Sequence, residues 1–341
     1  MRAWIDQAMS EPRTQKLTPQ HAVALRLLRV DAPGRIMGAP EDWPRWAVLL
    51  PHVLAALDHL ETIEGIDETI NEMVSWLLDR AGVYLHVHGR AREGRPMVEQ
   101  ALAVAEATYG PNHPTVAGRL NNLALILRDL AELPAARSVA ERALAVAEAA
   151  YGPDHPTVAI ALINLATILR HLGELATARP LAERALAVTE ATYGPNHPTV
   201  AIRLNNLALI LLDLSEPANA RPLAERALAL TEATYRPDHP EVASSLNNLA
   251  TIMHHLREPA TARPLAERAL ALAEATYGPN HPTVAIRLHN LAAILGDLGD
   301  PAAARPLAER ALAVAEAAYG PDHPTTQAIR ANLDRLTRSQ T

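Results

Sequence analysis

The stretch Tyr109-Gly110-Pro111-Asn112-His113-Pro114-Thr115-Val116 decides the fold, because the same text returns five more times. The copies begin at Tyr151, Tyr193, Tyr235, Tyr277 and Tyr319, each 42 residues after the last. Self-similarity at a fixed period of about 20–50 residues marks a solenoid, in which units stack and none buries a core alone. The residues of the stretch are those of a helix stop followed by a helix start. Gly110 can take the left-handed conformation that ends one helix. Asn112, with His113 and Pro114 behind it, supplies an Asx acceptor and a first-turn proline to open the next. Gly152, Gly194, Gly278 and Gly320 repeat the stop. Arg236 stands in that place once, so its joint is expected to be strained or differently wound.

Outward from the joint, each unit holds a first helix near Thr115 to Leu130, a short turn, and a second helix near Ala135 to Tyr151. Pro180, Pro222, Pro264 and Pro306 fall early in second helices, where few intrahelical amide bonds are forfeited. Shifted by 42, Trp76 to Leu85 and Pro96 to Leu102 match the later units, giving six helix pairs over residues 73–325. The tail, 326–341, reads as a capping helix with Arg335, Arg338 and Ser339 on a polar outer side, which a stacked array needs at its end. Residues 1–72 form an N-terminal helical cap or linker. One helix spans Thr18 to Val30 and stops at Asp31-Ala32-Pro33-Gly34; another runs from Trp43 to about Leu60. Trp43 and Trp46 head that second apolar face and are read as core or docking anchors.

Among 341 residues there is no Phe and no Cys, and aromatics are 3%. Abundant Ala, Leu, Arg and Glu favour closely packed helices, so the expected class is all-α. The net charge of -7 supplies no basic field for phosphate backbones, which argues against nucleic acid. No apolar run approaches the roughly 18 residues of a membrane span, and Met1 to Ser10 lacks the order of a signal peptide. No membrane partner is expected, and the absence of Cys fits a reducing, cytoplasmic location.

The spacing of Leu120, Leu123, Ala124 and Leu127, followed by Ala136 and Ala143, resembles the tetratricopeptide repeat. The longer unit, with Asn121-Asn122-Leu123-Ala124-Leu125 and its Gly-Pro-Asn-His-Pro joint, is most similar to the repeats of kinesin light chains and their bacterial relatives. The resemblance implies a right-handed α-solenoid, a superhelix of tetratricopeptide-like helix pairs with helical caps at both ends. It departs from the family at Ala140, Ala182, Ala224, Ala266 and Ala308, where an aromatic is usual; smaller knobs bring helices closer or open a pocket. Trp43-Pro44-Arg45-Trp46 with Leu49-Leu50-Pro51-His52 is similar to the segment joining an NB-ARC-type ATPase to its repeat sensor. That implies a possible NB-ARC-type ATPase domain as partner, on another segment or chain, because this sequence contains no Gly-x-x-x-x-Gly-Lys-Ser/Thr phosphate loop.

The same resemblance places the second, fifth, sixth, ninth and thirteenth positions of each first helix on a concave groove that holds a peptide or protein segment. Asn122, Asn164, Asn206, Asn248 and Asn290 then form a ladder at the sixth position, with Asn121, Asn205, Asn247 and His289 beside it at the fifth. An amide can pair with both sides of a peptide backbone, or it can satisfy neighbouring helices of its own chain. The thirteenth position alternates Asp129, His171, Asp213, His255 and Asp297, while Ile160, Ile202 and Ile286 give apolar spots. Lys and Arg are scarce at these places, so an extended segment of mixed or weakly basic character is expected.

A metal or cofactor is not expected. His113, His155, His197, His239, His281 and His323 recur once per unit, and copies about 10 Å apart cannot share a zinc ion bound at about 2 Å. A pair such as His171 with Asp213 could act as an acid-base couple, but no nucleophile has a local signature, so no catalytic residue and no enzymatic activity are expected. The repeated Glu and Arg of the second helices, for instance Glu183 and Arg184, read as a solvated outer face.

Overall fold

The computed structural model describes residues 19–58 and 67–338. The readings of Met1 to Ser10 and of Ser339 concern residues outside these. Two helices lead: α1 (Pro19–Asp31) and α2 (Trp43–Asp58), joined through a single 3-10 turn at Pro40–Asp42. Consecutive pairs follow: α3 (Glu68–Val87) with α4 (Ala91–Tyr109), α5 (Pro114–Asp129) with α6 (Leu133–Tyr151), and α7 (Pro156–His171) with α8 (Leu175–Tyr193). Then come α9 (Pro198–Asp213) with α10 (Pro217–Thr234), α11 (Pro240–His255) with α12 (Pro259–Tyr277), and α13 (Pro282–Asp297) with α14 (Pro301–Tyr319), before the closing α15 (Pro324–Arg338). The described residues are helical with turns between, an α-solenoid.

Each joint is built the same way, and not quite as the sequence suggested. Histidine, rather than the Asn or Asp before it, is the N-cap residue. In all six joints its Nδ1 accepts the backbone N–H two residues on, at 3.1–3.3 Å. Its ring stacks on the tyrosine four residues earlier, with centroids 4.0–4.7 Å apart. The stack holds the imidazole where its lone pair meets an orphan amide, and the flat ring does what a short Asx side chain does elsewhere. The stop glycines take φ of 81–91° with ψ near 160°, an extended mirror conformation open to glycine alone. At Arg236 the chain avoids it: α10 ends a residue early and Tyr235 turns extended, at φ -103°. That joint is differently wound rather than strained.

The core combines large aliphatic side chains of the first helices with small residues of the second. Ala140, Ala182, Ala224, Ala266 and Ala308 are buried where the helices of successive units meet. The first pair approaches closely: a Cβ added to Gly82 would lie 2.7 Å from the backbone oxygen of Gly94. Trp46 is fully buried against Trp76 and Tyr84, so it is a core anchor. On the outer face, Arg179 pairs with Glu183 at 2.8 Å and Arg184 with Glu148 at 2.7 Å; such half-exposed pairs contribute a few tenths of a kcal/mol each.

First helices of successive units contact one another directly, and second helices splay apart, so the array curves with the first helices inside. It curves far enough to meet itself. His281 Nε2 donates to the Val87 carbonyl at 3.0 Å across 194 residues, and Arg92 donates to the Tyr319 carbonyl at 2.6 Å across 227.

Candidate binding groove

The inner face is formed by α5, α7, α9, α11 and α13, and the sixth-position asparagines lie along it, all half-buried. Each of three reaches back to the preceding first helix: Asn122 Nδ2 donates to Asp79 Oδ1 (2.8 Å), Asn164 Nδ2 to Asn121 Oδ1 (3.2 Å) and Asn290 Nδ2 to Asn247 Oδ1 (2.9 Å). The register follows from side-chain direction, since the sixth residue of one helix faces the fifth of the helix before it. Where the fifth residue is Ile163, it offers no side-chain acceptor; Asn206 Nδ2 turns to its own backbone at Ile202 O, 2.8 Å, and its Oδ1 accepts from Thr167 Oγ1 of the preceding first helix at 3.3 Å. Asn248 Oδ1 lies 3.4 Å from Asn247 Nδ2.

The fifth-position amides sit differently from the sequence reading. Asn121, Asn205 and Asn247 are only 5–6% exposed and lie in the seam between first helices. Asn205 Nδ2 donates to Ser245 Oγ at 2.9 Å, deep in that seam. His289 is half-buried, with its Nδ1 lacking an acceptor or donor, and burial pushes its pKa down. The ladder is therefore partly a clamp between units, with the sixth-position carbonyls of Asn122, Asn164 and Asn290 still available on the groove side.

At the thirteenth position the structure pairs each aspartate with the residue before the corresponding site of the previous unit. His86 Nε2 meets Asp129 Oδ2 at 2.7 Å, Arg170 meets Asp213 at 3.1 Å, and His254 Nε2 meets Asp297 at 2.8 Å. The partner of Asp213 is thus Arg170, and the acid-base couple drawn between His171 and Asp213 does not form. His255 Nδ1 bonds its own helix at Thr251 O, 2.8 Å. Against the cost of burial, Arg128 and His86 hold the Asp129 carboxyl well below the usual carboxylate range. Among the described residues no group of three or more His, Asp or Glu is placed to hold a metal ion.

Where the array meets itself it forms a half-open cavity of about 670 Å³, bordered by Trp43, His86, Leu125, Asp129, Tyr319 and His323. Nothing in the repeat text marks it, because its walls come from units four apart. Sequence reading also missed Arg119, Arg203 and Arg287, which stand one position beyond the expected groove residue and are buried in the inner seam. Their alternation with Ala161 and Ser245 was the available signal.

Stacked antiparallel pairs with first helices inside and a regular polar inner face define a helical-repeat scaffold. A sequence profile described as tetratricopeptide repeat matches residues 72–148, 116–191, 157–233, 201–275, 241–317 and 288–336, and the chain belongs to the tetratricopeptide repeat family. Family repeats of this kind serve as protein-interaction scaffolds. Among solved structures, the chain is similar to a Rap protein complexed with Competence and Sporulation Factor (TM-score 0.65, 14% identity, 94% of this chain and 87% of that one). It is also similar to the hetero-tetramer Cut9-Hcn1 of APC/C (0.56, 16%, 93% and 52%). Nearly identical TPR-like repeats of a Podosopora anserina protein described as a kinesin light chain align at 0.49, with 20% identity, over 62% of this chain and 99% of that one. A search of curated proteins found no match. No described helix is long and apolar enough to cross a membrane.

Proposed function

We propose that this protein is a non-catalytic scaffold or sensor that holds an extended peptide or protein segment along its concave groove. The observation that carries the reading is the row of half-buried sixth-position asparagines on the inner helices. An amide has two hydrogens and two carbonyl lone pairs, so each keeps capacity beyond its contacts within the chain, least at Asn206, where both ends are engaged. His171, Asp213 and His255 extend the same wall as exposed polar groups. A fold neighbour, the Rap protein, carries a bound factor in its solved complex.

Asn206 and Asn248 give the test: Asn248 is bonded within its own helix, and Asn206 is tied to the preceding first helix only by accepting from Thr167 Oγ1 at 3.3 Å. Replacing both with Ala should weaken a partner isolated with the tagged chain by about tenfold or more, with helicity by circular dichroism unchanged. Unchanged affinity removes the groove.

A second reading, docking on an NB-ARC-type ATPase domain, draws on α1, where Val23, Leu27 and Val30 form an exposed apolar row. It predicts that a nucleotide-binding domain encoded in the same or a neighbouring gene co-purifies with the chain and is lost on Leu27→Asp. Retention of that domain by the variant, or its absence from the wild-type preparation, counts against it.

A further inference from the structure

Arg119, Arg203 and Arg287 occupy one position of alternate units and are all buried, yet their surroundings differ. Arg119 Nε donates to Ser75 Oγ at 3.2 Å, and its Nη1 lies 3.2 Å from Asp79 Oδ2. Arg287 reaches Ser244 Oγ at 3.5 Å and has Glu241 within electrostatic range. Among the described residues Arg203 has neither kind of partner. The residues that correspond to Ser75 and Asp79 are Ala159 and Ile163, both buried and apolar, and Ile160 corresponds to Ser244. The Nε atoms of Arg203 and Arg287 are both sealed from solvent without an acceptor, but Arg287 has Ser244 and Glu241 beside it. Among the described residues, Tyr193 is the ionisable group that raises the pKa of Arg203 against the cost of burial.

A guanidinium held at 5% exposure with no counter-charge is unfavourable until an anion completes it. Burial pushes its pKa down to about 10, which leaves it cationic at neutral pH. The contact of Arg287 with Ser244 indicates how this position reaches: toward the second-position side chain of the preceding unit, on the inner face. For Arg203 that neighbour is Ile160, which is 44% exposed although its helix neighbours are packed away. By the register that brings Arg287 to Ser244, a cation lacking its carboxylate corresponds to an exposed aliphatic side chain on the preceding inner helix.

We propose that Arg203 is an anion subsite of the groove, taking the side-chain carboxylate of an Asp or Glu in a bound peptide while an adjacent aliphatic residue rests on Ile160. The planar fork of a guanidinium suits a carboxylate, and its burial makes the match worth more than at an exposed arginine. The asparagine ladder pairs with backbone and leaves register open; one unneutralised arginine sets it. This rests on the groove reading, and it gives the mixed or weakly basic segment expected from the sequence one acidic residue at a fixed place.

Two measurements separate the subsite from the groove. The Arg203 Nε–Hε resonance, assigned by its loss in Arg203→Met, should shift saturably with N-acetyl-glutamate amide and not with N-acetyl-glutamine amide. No shift with up to about 50 mM of the acid, or equal shifts with both, overturns the subsite. The second uses amidated, N-acetylated nine-residue peptide mixtures whose central residue is fixed as Glu or Gln. Wild type should retain the Glu mixture about tenfold better, and Arg203→Met should retain the two equally. Retention of both mixtures in equal amounts by wild type overturns the subsite and leaves the groove. An acid-specific shift of Arg203 with neither mixture retained supports the subsite and overturns the groove.

Discussion

The edge of the solenoid that carries the joints falls into two regions. At Tyr151 and Tyr193 the stacked tyrosine-histidine pair stands open, the tyrosines 43% and 47% exposed. At Tyr277 and Tyr319 the same pair is covered: Trp43 lies 5.4 Å from the Tyr277 ring, Val87 accepts from His281, and Arg92 donates to the Tyr319 carbonyl. Text, stack and cap are alike in both regions. What differs is that units five and six come round beneath units one and two. The small rotation between neighbours, summed over four units, decides which copies of one motif become an interface.

Gly89 and Gly173 occupy the same turn of the first and third units, with φ of 76° and 77°. A Cβ on Gly89 would lie 2.7 Å from Pro282 Cδ, whereas on Gly173 it meets nothing within 4 Å. Gly89→Ala should therefore cost about 3 kcal/mol, the sum of left-handed strain and overpacking, and Gly173→Ala only about 1 kcal/mol of strain. Urea denaturation measures both, and scattering should show the Gly89 variant expanded. Equal costs would mean that the closure contributes nothing to stability.

Acid tests the covered joint next. His281 uses both ring nitrogens in its neutral form, Nδ1 accepting from Thr283 N and Nε2 donating to Val87 O. Burial pushes its pKa down to about 4. A histidine depressed in the folded state takes up protons on unfolding, so its stabilisation is complete above about pH 6.5 and is lost as pH falls toward 4. His88, His239 and His323 are lowered by burial too, in the same direction. Asp129, held low, loses its contribution only at more acid pH and does not offset the effect. Between pH 7.5 and 5 the chain should lose about 2 kcal/mol through His281. His281→Gln keeps an acceptor and a donor but does not titrate, so its acid limb should be flatter; parallel limbs would sink this account.

Much of this was legible in the sequence, for local reasons. Glycine, proline and apolar spacing set backbone states residue by residue, so helix order and the exceptional joint at Arg236 could be read directly. Histidine as the cap could not, because the lone pair is aimed by a tyrosine stack that exists only after folding. Arg203 was missed for a related reason. A cation becomes conspicuous through what its neighbours lack, and Ile163 and Ala159 are ordinary until they are seen where Asp79 and Ser75 stand beside Arg119. The burial of Asn121, Asn205 and Asn247 depends on the angle between first helices, which no single unit encodes.

The turns between paired helices allow one further, smaller comparison of covered and open edges. Gly89, Gly173 and Gly299 adopt positive φ there, and Ala131, Ser215 and Arg257 do the same at 61–65° without the freedom of glycine. An L-residue in that region costs about 1–2 kcal/mol, and glycine gives back part of the gain through a more flexible unfolded chain. Ser215→Gly and Arg257→Gly should each stabilise by about 0.5 kcal/mol, read from the denaturation midpoint at constant slope. Ala131 belongs to the covered side, next to Leu130 on the cavity wall. Ala131→Gly should match the other two if closure leaves that turn undistorted. A gain clearly larger than theirs would mean that the contact between unit two and the Tyr319 joint is held at the expense of the Ala131 backbone.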